Sequence, residues 1–421
     1  MARLQQLPYK FYDLSLSDAG TLVYTAANKL PIAALPQIFW QSGESWSEAN
    51  QFALNQAAST KVKIATVERK MKHIHYYACF LEEIGQDWRQ FPVRTEDKIL
   101  VKFRKHLVDA IETGLLESST GSNCINAVVE FYRFAQNHNL INPKNKMWNE
   151  RLVTIPLYDS IGFRSLFKLR STDLRISNKS RHGARLEEGL LPLSASHTTE
   201  LLQYTARYST YELHLMLSTG FLTGARNGTV GTLTVASLYT ASPDLDTKGI
   251  YRLPVGPGTK VRTKNSVVGS LWIPEALLKD LKEYATSTRR LLREAKAAPQ
   301  HKKLLFLTRS GKPYEVKILD RLINDLRENC CSIGMGFMRT FKFHQSRATF
   351  GTWLTQLLLS AGLDTVTAIR EVKSAMLHKD ESVTWKYIKF LEVSKAKIAA
   401  ATKFNELFTG ISNRDWSQKS V

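Results

Sequence analysis

His344-Gln345-Ser346-Arg347-Ala348-Thr349-Phe350-Gly351-Thr352-Trp353-Leu354 and, further on, Met376-Leu377-His378-Lys379-Asp380-Glu381-Ser382-Val383-Thr384-Trp385-Lys386-Tyr387 are the two stretches that decide how this chain is read. In the first, His344 and Arg347 stand at i and i+3 near the start of an apolar-striped helix, so they share a face. A helix N-terminus also favours an anion. Together they make a plausible phosphate clamp, although alone the pair reads as a capping histidine beside a surface arginine. In the second, Tyr387 follows His378 by nine positions. Alone it reads as a packed aromatic.

Towards the N-terminus, Thr223-Gly224-Ala225-Arg226 closes an apolar helix over Tyr211 to Leu222. The glycine permits a tight turn, after which an arginine can point into a cleft. Tyr251 to Val255 and Val267 to Ile273 read as two strands, with Gly256-Pro257-Gly258 as turn material. Lys260, Arg262 and Lys264 lie between them, where a lysine can reach a phosphate and protonate a leaving oxygen. Helices are expected at 275–297, 315–329, 345–360 and 364–376, and one capped by Ser194 or Ser196 through Leu201, Leu202 and Tyr208.

In order, Arg226, a hairpin lysine, His344, Arg347, His378 and Tyr387 form the series arginine, lysine, His-x-x-Arg, histidine, tyrosine. This resembles the catalytic set of the tyrosine recombinase (lambda integrase) family, at motif level over about 220–390 and more loosely over 61–142. The resemblance implies a mainly α fold with a small β-sheet in the catalytic domain: a helical core-binding domain plus a tyrosine recombinase catalytic domain. It implies Tyr387 as nucleophile, Arg226 and Arg347 on the phosphate, His344 assisting with the tyrosine proton and His378 on a non-bridging oxygen. Lys264 is taken as the general acid over Lys260, because Thr263-Lys264 lies nearer the second strand and Pro274. A 3′-phosphotyrosine intermediate follows, with no ATP, metal or other cofactor. The implied partner is double-stranded DNA, clamped by two domains, with a homotetramer on two DNA sites and other recombinases or a directionality factor as further partners. Three positions depart from the family. Thr229 stands where an acid is usual, Ser346 for a common leucine, and Leu377 for a common glycine. With the extra N-terminal residues they lean towards a mobile genetic element. Alternatives are a type IB topoisomerase-like enzyme, which usually has a lysine in place of the first histidine, and a DNA-binding protein with a decayed site.

The rest of the chain agrees with a polyanionic partner. Lys and Arg number 58 against 38 Asp and Glu, giving a net charge of +20. Between about 61 and 142 three apolar stripes recur at helical spacing: Val67, Met71, Ile74, Ala78 and Leu81; Ile99, Phe103 and Leu107; Ile125, Val128, Val129, Tyr132 and Ala135. Residues 163–192 carry Arg164, Lys168, Arg170, Arg175, Lys179, Arg181 and Arg185 among Ser, Asn and Gly, and are expected as an extended basic linker lying on phosphates. The expected organisation is an N-terminal extension of unassigned role (1–60), a core-binding domain (61–162), the linker (163–192), the catalytic domain (193–405) and a tail (406–421). The stretch Phe390 to Phe408 is expected as an amphipathic helix. Four cysteines are too few for a disulfide framework and none has zinc-ligand spacing. That composition, with no signal peptide and no apolar run of membrane-spanning length, points to a cytoplasmic, nucleoid-associated protein.

Overall fold

The computed structural model describes residues 1–17, 21–59, 62–158, 164–177, 186 and 189–395. The chain divides into two compact units, Met1–Ser180 and Arg181–Val421.

The first unit opens with strands β1 (Arg3–Tyr9), β2 (Tyr12–Leu16), β3 (Leu22–Ala26) and β4 (Ile32–Phe39), followed by helices α1 (Ser47–Ala58), α2 (Ile64–Ile84), α3 (Ile99–Glu112) and α4 (Ser118–Asn137). β1 pairs antiparallel with β4 and β2 with β3, and the Ala27 amide donates to the Phe11 carbonyl between the two pairs. The four strands therefore run as one long two-stranded ribbon. The expected stripes of α2, α3 and α4 are all buried in one core, because residues three and four apart fall on one helix face. Residues 1–60 share that core: Ala2, Leu35, Ile38, Trp46, Ala49 and Phe52 pack with the helices. Trp46 lies at its centre, with ring centroids 5.2 Å from Phe131, 6.0 Å from Trp88 and 6.4 Å from Tyr77. Buried hydroxyls need partners. Tyr132 donates to the Trp88 carbonyl at 2.6 Å and lies 2.7 Å from the Tyr77 hydroxyl, which donates to it.

The expected linker departs from expectation. β5 (Glu150–Tyr158) and β6 (Arg164–Thr172) form an antiparallel hairpin, so 164–172 is a paired strand and not an extended linker. Beyond it, Leu174 and Ile176 are buried in the first unit's core. The alternation of Phe167 and Leu169 with Lys168 and Arg170 suits a strand, and the charge density concealed it. Arg170 and Arg175 are exposed, and Arg164 and Lys168 lie on β6. Lys179, Arg181 and Arg185 lie outside the described residues.

The second unit comprises α5 (Ala195–Tyr208), α6 (Tyr211–Thr223), α7 (Asn227–Val230), α8 (Val235–Tyr239), β7 (Ser242–Pro243), β8 (Ile250–Val255), β9 (Gly269–Pro274), α9 (Glu275–Thr286), α10 (Thr288–Ala295), α11 (Val316–Ser332), α12 (His344–Ser360), α13 (Thr365–Met376) and α14 (residues 381–395). The sheet has the order β7-β8-β9. At Gly256 a Cβ would lie 2.2 Å from the Val267 carbonyl oxygen, so this turn requires glycine. The single helix expected over 275–297 is broken at Ser287, whose hydroxyl accepts from the Arg290 amide and caps α10. Ser194 caps α5 in the same way. Residues 396–408 of the expected C-terminal helix lie outside the described residues.

The α6 helix that leads to Arg226 is held at its start by buried charge. Glu212 is fully buried and accepts from Arg289 Nε at 2.7 Å and Nη2 at 3.0 Å, while Arg293 Nη2 lies 3.0 Å away. The Tyr284 hydroxyl donates to the same carboxylate at 3.1 Å. Burial pushes the Glu212 pKa up, but the Arg289 hydrogen bonds and both arginine charges outweigh it and hold it below the usual range.

Candidate active site

α6 and α12 approach one another through small residues. A Cβ on Gly220 would lie 2.5 Å from Ser346 Oγ, and one on Gly224 2.5 Å from the Phe350 ring. This explains serine at 346, where the family usually has leucine. Ser346 is fully buried and its hydroxyl donates to the Phe343 carbonyl at 2.7 Å. Gly224 ends α6 with φ of 65°, a left-handed conformation that glycine adopts without steric cost. The chain then turns, and Arg226, half-buried, begins α7 as its N-cap. Thr229 is buried one turn later.

His344 is the first residue of α12, half-buried, and Arg347 follows one turn on. Arg347 is 2% exposed. Its Nη1 donates to the Gly224 carbonyl at 2.6 Å and its Nη2 to the Met376 carbonyl at 2.5 Å. One guanidinium, with five donors in a fixed fork, thus joins the turn before Arg226 to the end of α13, two residues before His378. Segments far apart in sequence meet at this side chain. The start of the unit is fastened to the same helix: the Gln345 amide donates to the Leu191 carbonyl at 3.0 Å, and the Leu193 amide donates to the Thr349 hydroxyl at 2.9 Å.

α13 ends at Leu377, which holds φ 53° and ψ 48°. A left-handed backbone favours glycine, so Leu377 holds this conformation at a steric cost. Leu377 lies against β9, where a Cβ on Gly269 would come 2.4 Å from its Cδ2. His378 follows, 6% exposed, with Nδ1 2.9 Å from the Thr384 hydroxyl. That bond fixes the ring's orientation. Its plane is 21° from that of Tyr387, with centroids 6.2 Å apart.

Tyr387, on α14, has no exposed surface. Its ring packs on α12 at Gly351, where a Cβ would come 2.6 Å from Cε1 and 2.7 Å from Cζ. Ala348, Val372 and Met376 complete the surrounding apolar cluster with Leu186. Lys264, in the short turn between β8 and β9, is exposed, as is Lys260. The left-handed Asn265 and Ser266 shape that turn, and the Arg262 amide ties it to the Thr232 hydroxyl at 2.9 Å. Five expected site residues thus come from the α6–α7 turn, the start of α12, and the segment from α13 to α14. Lys264 lies in the turn between β8 and β9, and β9 meets the end of α13 where Gly269 faces Leu377. Thr384 and Gly351 were not singled out from the sequence. A threonine six residues past a histidine and a glycine inside a helix carry no periodic signal.

Comparison with solved structures settles the fold. The Tn1549 transposon integrase in complex with a circular intermediate DNA matches with a TM-score of 0.50 at 15% identity, over 81% of this chain and 94% of that one. The same integrase in complex with transposon right end DNA matches with a TM-score of 0.50 at 15% identity, over 84% and 99%. The chain has the tyrosine recombinase fold. A lambda integrase dimer bound to a core site also matches, with a TM-score of 0.49 at 14% identity, over 81% and 94%. No family model matches the sequence, and no curated protein matches it. Among the described residues of this recombinase fold, no helix is long and apolar enough to cross a membrane, and no group of three or more His, Cys, Asp or Glu residues could hold a metal ion.

Proposed function

We propose that this chain is a site-specific DNA recombinase or integrase that cleaves and rejoins double-stranded DNA through a 3′-phosphotyrosine at Tyr387. The observation that carries the reading is Arg347, which binds the carbonyls of Gly224 and Met376 and so gathers the segments bearing Arg226, His344 and His378. Those residues have the types that phosphoryl transfer to a tyrosine uses, in the order of the tyrosine recombinase catalytic set they resemble. The net charge of +20 supports a DNA partner, as do the DNA complexes of the Tn1549 integrase, whose fold this chain shares.

The chemistry follows from charge. Attack on a phosphodiester adds a second negative charge to the non-bridging oxygens, and Arg226 and Arg347 stabilise that state more than the ground state. A phenol in water ordinarily has a pKa near ~10 and needs a base at neutral pH, so the Tyr387 phenol gives its proton to His344 as its oxygen bonds to phosphorus. The bond from phosphorus to the 5′-oxygen breaks, and Lys264 supplies the proton to the departing oxygen. His378 donates to a non-bridging oxygen. The phosphotyrosine conserves the bond energy, so a second 5′-hydroxyl rejoins the strand by the reverse path. Arg164, Lys168, Arg170, Arg175, Lys179, Arg181 and Arg185 contact the phosphate backbone. Four copies act on two DNA sites, in a mobile element, with the protein held at the nucleoid.

The test is covalent trapping. The protein is incubated with nicked duplexes bearing candidate element ends, without magnesium, and run on a denaturing gel. An adduct is expected with the wild type and none with Tyr387→Phe, which still binds DNA. An adduct that survives in Tyr387→Phe refutes the assigned nucleophile. Tight binding with no adduct on any end favours a decayed DNA-binding protein or a requirement for partner recombinases.

A further inference from the structure

The ribbon in the first unit has an outer part that touches little else. β2 and β3 extend beyond β1 and β4, and every residue of both outer strands is exposed. Their register pairs Tyr12 with Ala26, Leu14 with Tyr24 and Leu16 with Leu22. Paired residues lie on one side of a sheet and alternate residues share a face. Tyr12, Leu14, Leu16, Leu22, Tyr24 and Ala26 therefore form one apolar face, while Asp13, Ser15, Val23 and Thr25 form the other. Apart from Val23, this alternation is the pattern of a sheet that buries one face. Tyr12, Leu14, Leu16, Leu22 and Tyr24 are instead 53–72% exposed.

We infer that this arm is a self-association surface: the apolar face of β2–β3 docks on the same face of a second copy. Three arguments select that occupant. Between Lys10 and Leu30 the arm carries two lysines and two aspartates, so its net charge is zero in a chain of +20. It is therefore poorly suited to phosphates. The face offers on the order of 600 Å² of apolar surface, so two copies face to face bury about 1,200 Å², the lower edge of a specific interface. A ladder of Leu and Tyr is also self-complementary under a twofold axis, as an isologous contact requires. A two-stranded hairpin is marginal alone in water, and stacking on a second one gives it the missing layer. The inference does not depend on the strand-exchange chemistry.

The test is analytical ultracentrifugation of the full chain without DNA, from about 1 to 100 µM, a span that resolves a weak dimer. Wild-type protein is expected to pass from 47.7 kDa to twice that mass. Leu14→Lys with Tyr24→Lys is expected to weaken dimerisation at least tenfold. Neither substitution removes a core contact, so circular dichroism and the melting temperature should match wild type. Hydrogen exchange should show residues 12–16 and 22–26 protected at high concentration only. A wild type that stays monomeric overturns the inference. Protection of the arm in the monomer would then assign the face to another part of the same chain, and lack of protection to a different protein. A dimer unchanged by the double variant also overturns it, because association would run through another surface.

Discussion

Gly351→Ala tests the link between the buried position of Tyr387 and its proposed role. The added methyl would lie 2.5 Å from Met376 Sδ, 2.6 Å from Tyr387 Cε1 and 2.7 Å from Cζ. Met376 and Tyr387 are both fully buried, so neither has open space to retreat into. Overpacking of this kind costs about 1–3 kcal/mol. Alanine in a helix interior returns about 1 kcal/mol relative to glycine. The net loss is about 1 kcal/mol, a fall in melting temperature of roughly 2–4 °C for a unit of this size. The propensity gain is present whether or not Tyr387 is docked against α12, so the docked state alone bears the full overpacking cost of about 1–3 kcal/mol. A tyrosine without exposed surface cannot touch a phosphate, so the docked state precedes attack. Raising its energy by about 1–3 kcal/mol raises the undocked population by roughly 5- to 150-fold. Nitration of Tyr387 by tetranitromethane, read by peptide mass spectrometry, is expected to quicken by that factor. Phosphotyrosine formation on nicked DNA is expected to quicken by up to the same amount. Unchanged stability with unchanged nitration would refute the packing argument. Slower adduct formation despite faster nitration would refute the view that undocking precedes attack.

Leu377→Gly relieves a left-handed leucine but loses its packing on β9, two effects of about 1 kcal/mol each that nearly cancel, whereas Leu377→Val cannot hold that backbone and should lose well over 1 kcal/mol; thermal melts compare the three. Glu212 has a folded pKa below its unfolded one, so its stabilisation is complete above the ordinary value of 4.5 and is lost as pH falls through the depressed value. Glu212→Gln should cost about 3 kcal/mol at pH 7 and flatten the acid side of the stability profile in urea melts. Arg170→Ala with Arg175→Ala should reduce the slope of log affinity against log salt by about 2, measured by anisotropy on a labelled duplex. An unchanged slope would remove both residues from the DNA interface.

The helical parts of the fold were legible because apolar residues recur at helical spacing, as from Val67 to Leu81 and from Ile125 to Ala135. The β8–β9 pair was legible from its turn glycines. The N-terminal ribbon was not. Its outer strands alternate apolar and polar residues, but Gly, Pro and Asn interrupt the wider segment, and the pairing of Arg3 with Phe39 is a long-range fact that no local window contains. β6 was hidden by charge, since arginine and lysine on a strand look like linker composition. In the site, residue types and order could be read, and so could the placement of His344 and Arg347 at a helix start. The bonds of Arg347 to two backbone carbonyls could not, because carbonyls leave no trace in sequence. Nor could the burial of Tyr387, which depends on Gly351 facing it from another helix.

Arg347 has a consequence for the history of such a chain. Because it holds two distant turns together by their carbonyls, its loss would damage the fold whether or not DNA is ever cut. A lineage that abandoned cleavage would be free to discard the Tyr387 hydroxyl, but selection for folding alone would go on retaining the arginine. Under the proposed chemistry, the persistence of Arg347 among relatives of this chain would not separate a cutting enzyme from a folded remnant, whereas the persistence of the tyrosine would.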